Sequence, residues 1–361
     1  MYFRLSPELS GMIADEMDIA SLICWRQTCI ANYAHAVASL ERKLVGLVDT
    51  FLSYPTALLQ VVTDFNAVIG GEVALAYIRR DVLVRPHSLE IFVSRLEYEA
   101  ICRSILSDPL LSLDIVDATT VKADYTVCTQ RDITQTLRLR LRSGLDMHVR
   151  RSSTLSPLSP IARAPCTALM NFVTRESFGC AYPRLTLNNQ ALLCDLGMDA
   201  ADYLDGAARN VLVDVGIDAA VEPSHWPEYR VWSPTPSNVD TVNACWRSHF
   251  ICPEQGRFFG DRGSFVDFVS PLDCGAVELR DRRAPPFGCT IVWRLSSSYQ
   301  CVMSCEGRDR LLPNGVTSQA VIFVHDRFST ATVGCSRRSR SLRIERSGTS
   351  RIVRQIGRAH V

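Results

Sequence analysis

The sequence predicts an α+β protein in which helices and strands dominate different parts of the chain. Residues 1–50 place apolar side chains at helical spacing, which predicts short amphipathic helices. Residues 51–220 begin with alternating helix-like and strand-like segments, so we predict a mixed sheet with flanking helices and a helical extension. Residues 221–335 are rich in proline, tryptophan and turns, which predicts an irregular β-rich region.

Composition sets broad limits on function. The chain has 361 residues, 47% of them hydrophobic, and a net charge of +1. It can bury a sizeable core, and its global charge gives no attraction to nucleic acid or to anionic membranes. We find no apolar run of membrane-spanning length, no signal-peptide pattern and no CxxC pair among the 14 cysteines. We therefore expect a cytoplasmic or nuclear protein with no membrane partner.

The last part of the sequence, residues 336–361, is rich in arginine and serine and lacks periodicity. We predict a disordered tail there. Its final stretch, QIGRAHV, resembles one reading frame of a common sequencing adapter. Our hypothesis is that this end is a gene-model artefact, so the tail has no part in the functional argument.

The first fifty residues contain clear helix-start signals. Ser6 is a typical N-cap and Pro7 suits a first turn, while Asp18 is a second N-cap candidate. Leu5, Leu9 and other apolar side chains follow at helical spacing. Helices this short cannot bury a face alone, so we expect them to pack on one another or on a partner.

The sheet is predicted from two stretches. AVIGGEVALAYIRRDVLVRPHSLEIFV, residues 67–93, reads as a strand, a Gly-Gly turn, a helix and a second strand. TLRLRLR, residues 136–142, alternates with period two, so leucines and arginines lie on opposite faces, and a Ser-Gly turn then leads into LDMHV. The arginine face suggests either a surface for a polyanion or an ordinary solvent face of an antiparallel sheet.

The first of these stretches has the layout that nucleotidyl transfer needs. Small residues let backbone amides approach phosphates, which makes Gly70 and Gly71 the candidate phosphate-binding residues. Carboxylates on strands hold the divalent ions of such reactions, and Glu90 and Asp146 are the candidate catalytic acids. Ser88 stands two residues before Glu90, where a second carboxylate would share its strand face.

Residues 67–93 resemble the signature of the nucleotidyltransferase fold: a small pair, a helix, then Asp-x-Asp or Asp-x-Glu. The resemblance implies a metal-dependent transferase, but Ser88 removes a charge that Mg²⁺ requires. We therefore expect a pseudoenzyme with no cofactor, and keep an active enzyme using Mg²⁺ as the alternative. Asp64 and Glu72 are nearby acids, although their spacing does not favour a place in the site.

The N-terminal residues resemble an F-box, a short helical module that docks a Skp-type ubiquitin-ligase adaptor. The order Leu-x-Pro-x-Leu, an isoleucine, then a Ser-Leu and a Trp-Arg pair carries the resemblance, which implies these partner-binding residues: Leu5, Pro7, Leu9, Ile13, Leu22 and Trp25. The competing interpretation is an ordinary helical cap on the sheet.

The order of parts is similar to a fungal group, from mushroom-forming species, with an F-box-like start and a degenerate nucleotidyltransferase-like domain. That resemblance implies protein binding, names no substrate and leaves nucleotide or nucleic-acid binding open.

Two further features of the sequence have simpler interpretations than a binding site. Cys245, His249 and Cys252 have loose zinc-ligand spacing, for which buried cysteines are the better interpretation. GRFFGDRGS, residues 256–264, indicates a turn with an internal Asp-Arg pair rather than a phosphate loop.

Overall fold

The computed structural model describes residues 5–80, 85–109, 111, 113–122, 132–194, 212–230, 246–253, 255–270, 290–295, 320–324 and 331–334. Over these residues the chain is α+β, as predicted, with a large mixed sheet and helices around it. The predicted tail lies outside them, as do Cys245 and the rest of the 231–245 segment. None of the described helices combines the length and the apolar character needed to cross a membrane.

Three helices form at the start of the chain, as the apolar spacing predicts. They are α1 (Pro7–Glu16), α2 (Ile19–Arg26) and α3 (Ile30–Asp49). The Ser6 hydroxyl accepts a hydrogen bond from the Leu9 amide at 3.3 Å, and the Asp18 carboxylate accepts one from the Ser21 amide at 2.9 Å. Both predicted N-caps are confirmed, because each satisfies an amide that the first turn leaves unpaired.

The predicted alternation of helix and strand after residue 51 is also confirmed. The elements are α4 (Pro55–Asp64), β1 (Val68–Gly70), α5 (Gly71–Arg79), β2 (Ser88–Val93) and α6 (Tyr98–Ser107). Three longer strands follow, namely β3 (Ile115–Lys122), β4 (Ile133–Leu141) and β5 (Asp146–Ser152). Strands β2 and β5 run parallel, whereas β4 pairs antiparallel with both β5 and β3.

The predicted helical extension up to residue 220 is wrong in the part of it that the structure describes. Two one-turn helices, α7 (Ser159–Ala162) and α8 (Pro183–Thr186), accompany four short strands: β6 (Asn171–Val173), β7 (Ser177–Cys180), β8 (Gln190–Leu192) and β9 (Asp218–Ala220). Prolines at 160, 165 and 183 prevent a continuous helix. At Gly179, the ring of Phe172 leaves no room for a Cβ, which would lie 2.3 Å from it.

The β-rich character of the last region is confirmed where it is described. Its strands are β10 (Arg257–Phe258), β11 (Phe265–Phe268), β12 (Thr290–Trp293), β13 (Ala320–Val324) and β14 (Ala331–Gly334). Four of them form a separate sheet in the order β10-β12-β13-β14. The fifth, β11, joins the large sheet, whose order is β11-β7-β6-β1-β2-β5-β4-β3. The region after residue 221 therefore completes the edge of the large sheet.

The turn predicted in GRFFGDRGS contains its Arg-Asp pair. The guanidinium of Arg257 is fully buried and contacts the Asp261 carboxylate at 2.5 and 3.0 Å. The same side chain stacks on the ring of Tyr182 at 4.6 Å and donates to the Ala181 carbonyl at 2.9 Å. This pair fixes the turn to the sheet and takes no part in the cleft described below.

The helices α1–α6 and the apolar face of the sheet bury one continuous core. Leu22 of α2, Leu44 of α3 and Tyr77 of α5 belong to the same cluster as Val149 of β5. Arg80, directly after α5, ties the first helices to this core by donating to the carbonyls of Met17, at 2.7 Å, and Ala14, at 3.0 Å. The first three helices are therefore a cap on the sheet.

Candidate functional site

One face of strands β2, β5, β4 and β3 carries mostly polar side chains, with Phe92 as the apolar exception, in three rows that run across the strands. The first row is Ser88, Asp146, Arg140 and Asp117; the second is Glu90, His148, Arg138 and Thr119; the third is Phe92, Arg150 and Thr136. The alternating leucines of β4 lie on the other face, in the core. The period-two prediction for TLRLRLR is therefore confirmed, and it places the predicted acids on one surface.

This polar face is one side of a cleft of about 820 Å³. Apolar residues from the segment after β5 also line the cleft, among them Pro160, Ile161 and Leu169. A hydrogen bond of 2.6 Å from the Ser159 hydroxyl to the buried Asp132 carboxylate holds that segment in place. The serine- and proline-rich stretch SSTLSPLSP, residues 152–160, is thus largely buried and shapes the site.

The Gly-Gly pair lies where β1 meets α5. Gly71 has a φ of 61°, and a Cβ there would lie 2.6 Å from Oε2 of Glu90. A Cβ on Gly70 would lie 2.6 Å from the ring of Phe92. Gly71 lines the cleft beside Glu90, and both glycines give close approach to side chains of β2. The structure therefore gives both glycines a packing role against β2.

Glu90 is held by positive groups. Its Oε1 accepts a short hydrogen bond from Nη2 of Arg150, and Nδ1 of His148 lies 3.9 Å away. Burial raises the pKa of Glu90, but Arg150 and His148 outweigh burial and lower that pKa to about 2. Glu90 is therefore ionised at neutral pH, and its charge is balanced by the guanidinium.

Asp146, the second predicted acid, shares the face of Glu90 one row away. Both of its carboxylate oxygens accept hydrogen bonds of 2.7 Å from Nη1 of Arg140. The structure thus brings the two acids into one cleft and gives each an arginine. Among the described residues, no three Asp, Glu, His or Cys side chains are grouped to hold a metal ion. Oε1 of Glu90 and both oxygens of Asp146 thus accept hydrogen bonds from arginines.

Glu72 is the acid that the sequence interpretation set aside because of its spacing. It lies in the first turn of α5, and its carboxylate accepts hydrogen bonds from the His87 amide at 2.6 Å and the Ser88 hydroxyl at 3.4 Å. Burial raises the pKa of Glu72, more than the neighbouring donors lower it. A carboxylate therefore lies beside the serine that replaces the expected acid. Its position one residue after the Gly-Gly turn was the available signal.

Other candidates lie away from the cleft or are neutralised. Asp64 accepts a hydrogen bond from Gln60 at 2.7 Å, on α4. Arg142 pairs with Asp114 at 2.9 Å, so the arginine stripe is partly neutralised by acids rather than being a uniform positive surface for a polyanion.

The six predicted partner-binding residues divide into three groups. Leu5, Pro7, Leu9 and Ile13 are exposed at the start of α1. Trp25 is half-buried and stacks on His35, with ring centroids 6.5 Å apart. Leu22 is fully buried in the core, so this part of the prediction does not describe a surface. Helical spacing identifies an apolar face without telling which neighbour covers it.

Comparisons with family models, with curated proteins and with solved structures find no match for this chain.

Proposed function

We propose that this chain is a non-catalytic binding protein, a pseudoenzyme on a nucleotidyltransferase-like sheet, that docks a Skp-type ubiquitin-ligase adaptor through α1. The proposal that the chain is non-catalytic rests on one observation, which is that each of the two candidate acids forms an ion pair with an arginine. Arg150 donates a hydrogen bond to Oε1 of Glu90, and Arg140 donates to both carboxylate oxygens of Asp146. A guanidinium in direct contact with a carboxylate balances its charge.

The docking part rests on the surface of α1. Ser10 and Ala14 are buried, whereas Leu9 and Met12 keep 50% and 64% of their surface exposed. Together with Leu5 and Ile13 they form an apolar face that no described residue covers. Large apolar side chains concentrated on one helix are typical of a protein-binding site, and an adaptor with an apolar groove fits such a helix.

The test is direct binding of a purified Skp-type adaptor to the full chain, measured by calorimetry. We expect Leu9→Asp to weaken binding at least about tenfold, because it places a charge in the apolar contact. Leu106→Asp is the matched control, since Leu106 on α6 is 51% exposed and lies on another surface. Absence of binding by the wild-type chain, or equal losses in the two variants, contradicts the proposal.

A specific observation favours a second candidate, an active metal-dependent nucleotidyltransferase. Glu72 lies against Ser88 and lines the same cleft as Glu90 and Asp146, so a third carboxylate is present. This candidate requires Mg²⁺-dependent incorporation of a labelled nucleotide that Glu90→Gln abolishes. The exposed Glu99 on α6 provides a control, because Glu99→Gln leaves the cleft intact. If the wild-type chain incorporates no nucleotide, this second candidate is wrong and the binding function remains the proposal.

A further inference from the structure

The middle row of the polar face ends in three polar side chains that the function proposed above does not use, and one of them, the Thr119 hydroxyl, already donates to the Asp117 carboxylate at 3.1 Å. Thr119 of β3, Arg138 of β4 and His148 of β5 are neighbours in register, and all three line the cleft. Adjacent strands hold directly opposed side chains within about 5 Å of each other at Cβ. A guanidinium, an imidazole and a hydroxyl therefore lie side by side.

Arg138 differs from the arginines around it. Arg140, Arg142 and Arg150 each form an ion pair with an acid. Arg138 is exposed to the cleft and has no ion pair with any residue that the structure describes. The cleft also holds carboxylates, but a guanidinium that none of the described acids pairs with is the element of this site that favours a negatively charged ligand.

Two neighbouring polar atoms point to the same conclusion. Nδ1 of His148 and Nε of Arg150 are buried and have no hydrogen-bond partner within the described part of the chain. Buried polar atoms are nearly always paired in folded proteins, so each one left unpaired needs an explanation. Nδ1 of His148 lies 3.9 Å from the Glu90 carboxylate, beyond hydrogen-bond distance, so this end of the row has a donor that its own carboxylate does not satisfy.

The apolar lining of the rest of the cleft indicates that the remainder of the ligand is apolar. Ile133, Pro160, Ile161 and Leu169 give it an apolar lining next to the donor row. Its volume of about 820 Å³ fits a small organic molecule. A bare inorganic ion leaves this apolar lining without contact.

We propose that the cleft binds an organic anion, with its oxyanion group on Arg138 and His148 and an apolar ring system against Ile133, Pro160 and Ile161. Binding needs no metal ion, because the guanidinium supplies the positive charge. This inference goes beyond the docking function of α1 and does not depend on it, since α1 does not line the cleft.

The experiment is calorimetric titration of the full chain with naphthoate and with naphthyl phosphate, in the presence of a metal chelator. Naphthamide, which has the same body and no charge, is the matched ligand. We expect at least one of the two anions to bind, and to bind at least about tenfold more tightly than the amide, because hydrogen bonds to charged groups are the stronger ones. Comparing the two anions identifies the preferred head group.

Protein variants test where in the cleft the anion binds. Arg138→Gln is expected to weaken binding of the preferred anion at least about tenfold. Arg142→Gln, in the turn directly after the same strand and paired with Asp114 outside the cleft, is expected to leave the affinity within about twofold of the wild type. A thermal unfolding curve checks that both variants fold. Binding of neither anion, equal binding of the amide, dependence on Mg²⁺, or equal effects of the two variants each overturns the proposal.

Discussion

Arginines occupy two regions of this molecule in different ways. Where the helical cap meets the sheet, Arg80 and Arg26 are buried and donate mainly to backbone carbonyls. In the cleft, Arg140 and Arg150 are partly accessible and donate to carboxylates. The first arrangement joins pieces of backbone, and the second balances the charges of a surface.

The partners of each arginine show why the two regions differ. Arg80 contacts the carbonyls of Ala14, Asp15 and Met17 and the hydroxyl of Ser39, between 2.7 and 3.2 Å. Carbonyl oxygens cannot change charge or move away from the backbone. Carboxylates can be protonated or can bind another cation. The junction is therefore a fixed structural contact, whereas the cleft pairs are open to competition by protons and ligands.

The largest effect is expected at the junction. Arg80→Met removes all the guanidinium hydrogen bonds to these carbonyls, leaving only the Ser39 hydroxyl on Ala14 at 3.1 Å, so we expect the free energy of unfolding to fall by about 3 to 5 kcal/mol. Denaturant titration measures the change. Arg42→Met is the control, because Arg42 contacts the neighbouring Asp15 at 2.9 Å with about half of each side chain exposed, and its loss should cost less than about 1 kcal/mol. Equal losses at the two arginines contradict this comparison.

Local pattern made much of the sheet predictable from the sequence. The alternation in TLRLRLR and the Gly-Gly turn predict which side chains share a face of the sheet, and the structure confirms both. The pairing of Arg150 with Glu90 was not predictable, because it joins residues 60 positions apart across two parallel strands. Local periodicity contains no information about which strands become neighbours.

The same limit applies to the helical parts. Leu22 fits the pattern of a partner-binding residue, but its neighbours in space come from other elements of the core. Residues 160–192 lack a clear period, and prolines in them start or end single helical turns. Tertiary contacts, such as the packing of Gly179 against Phe172, decide that β6 and β7 become strands.

An intermediate effect is expected at Gly71, which connects the sheet to the cleft. Its φ of 61° disfavours a side chain, and a Cβ would press on the Glu90 carboxylate. Gly71→Ala should lower the free energy of unfolding by about 2 to 3 kcal/mol, from backbone strain and displacement of Glu90. Gly11→Ala is a control in which the opposite change is expected. Gly11 lies inside α1 with open space around it, so the added methyl group should raise the free energy of unfolding by about 0.5 to 1 kcal/mol. Destabilisation at both positions argues against this account.

The smallest effect concerns the charge of Glu90. Its pKa is lowered from 4.5 to about 2, so the folded state favours the ionised form. That stabilisation is complete above pH 4.5 and is lost as the pH falls towards 2. A shift of this size corresponds to at most about 3 kcal/mol, and we expect about 1 to 2 because a fifth of the side chain is exposed.

The measurement is the free energy of unfolding of the wild type and of Glu90→Gln between pH 2 and 7, taken from denaturant titrations. The two curves should converge as the pH falls from 4.5, because protonated Glu90 and glutamine are both neutral. Glu99→Gln, on exposed α6, controls for the loss of one carboxylate elsewhere. Curves that stay parallel over the acid range would mean that the Arg150 pair contributes no charge-dependent stability. The cleft pairs would then resemble the fixed contacts of the junction, and the distinction between the two regions would fail.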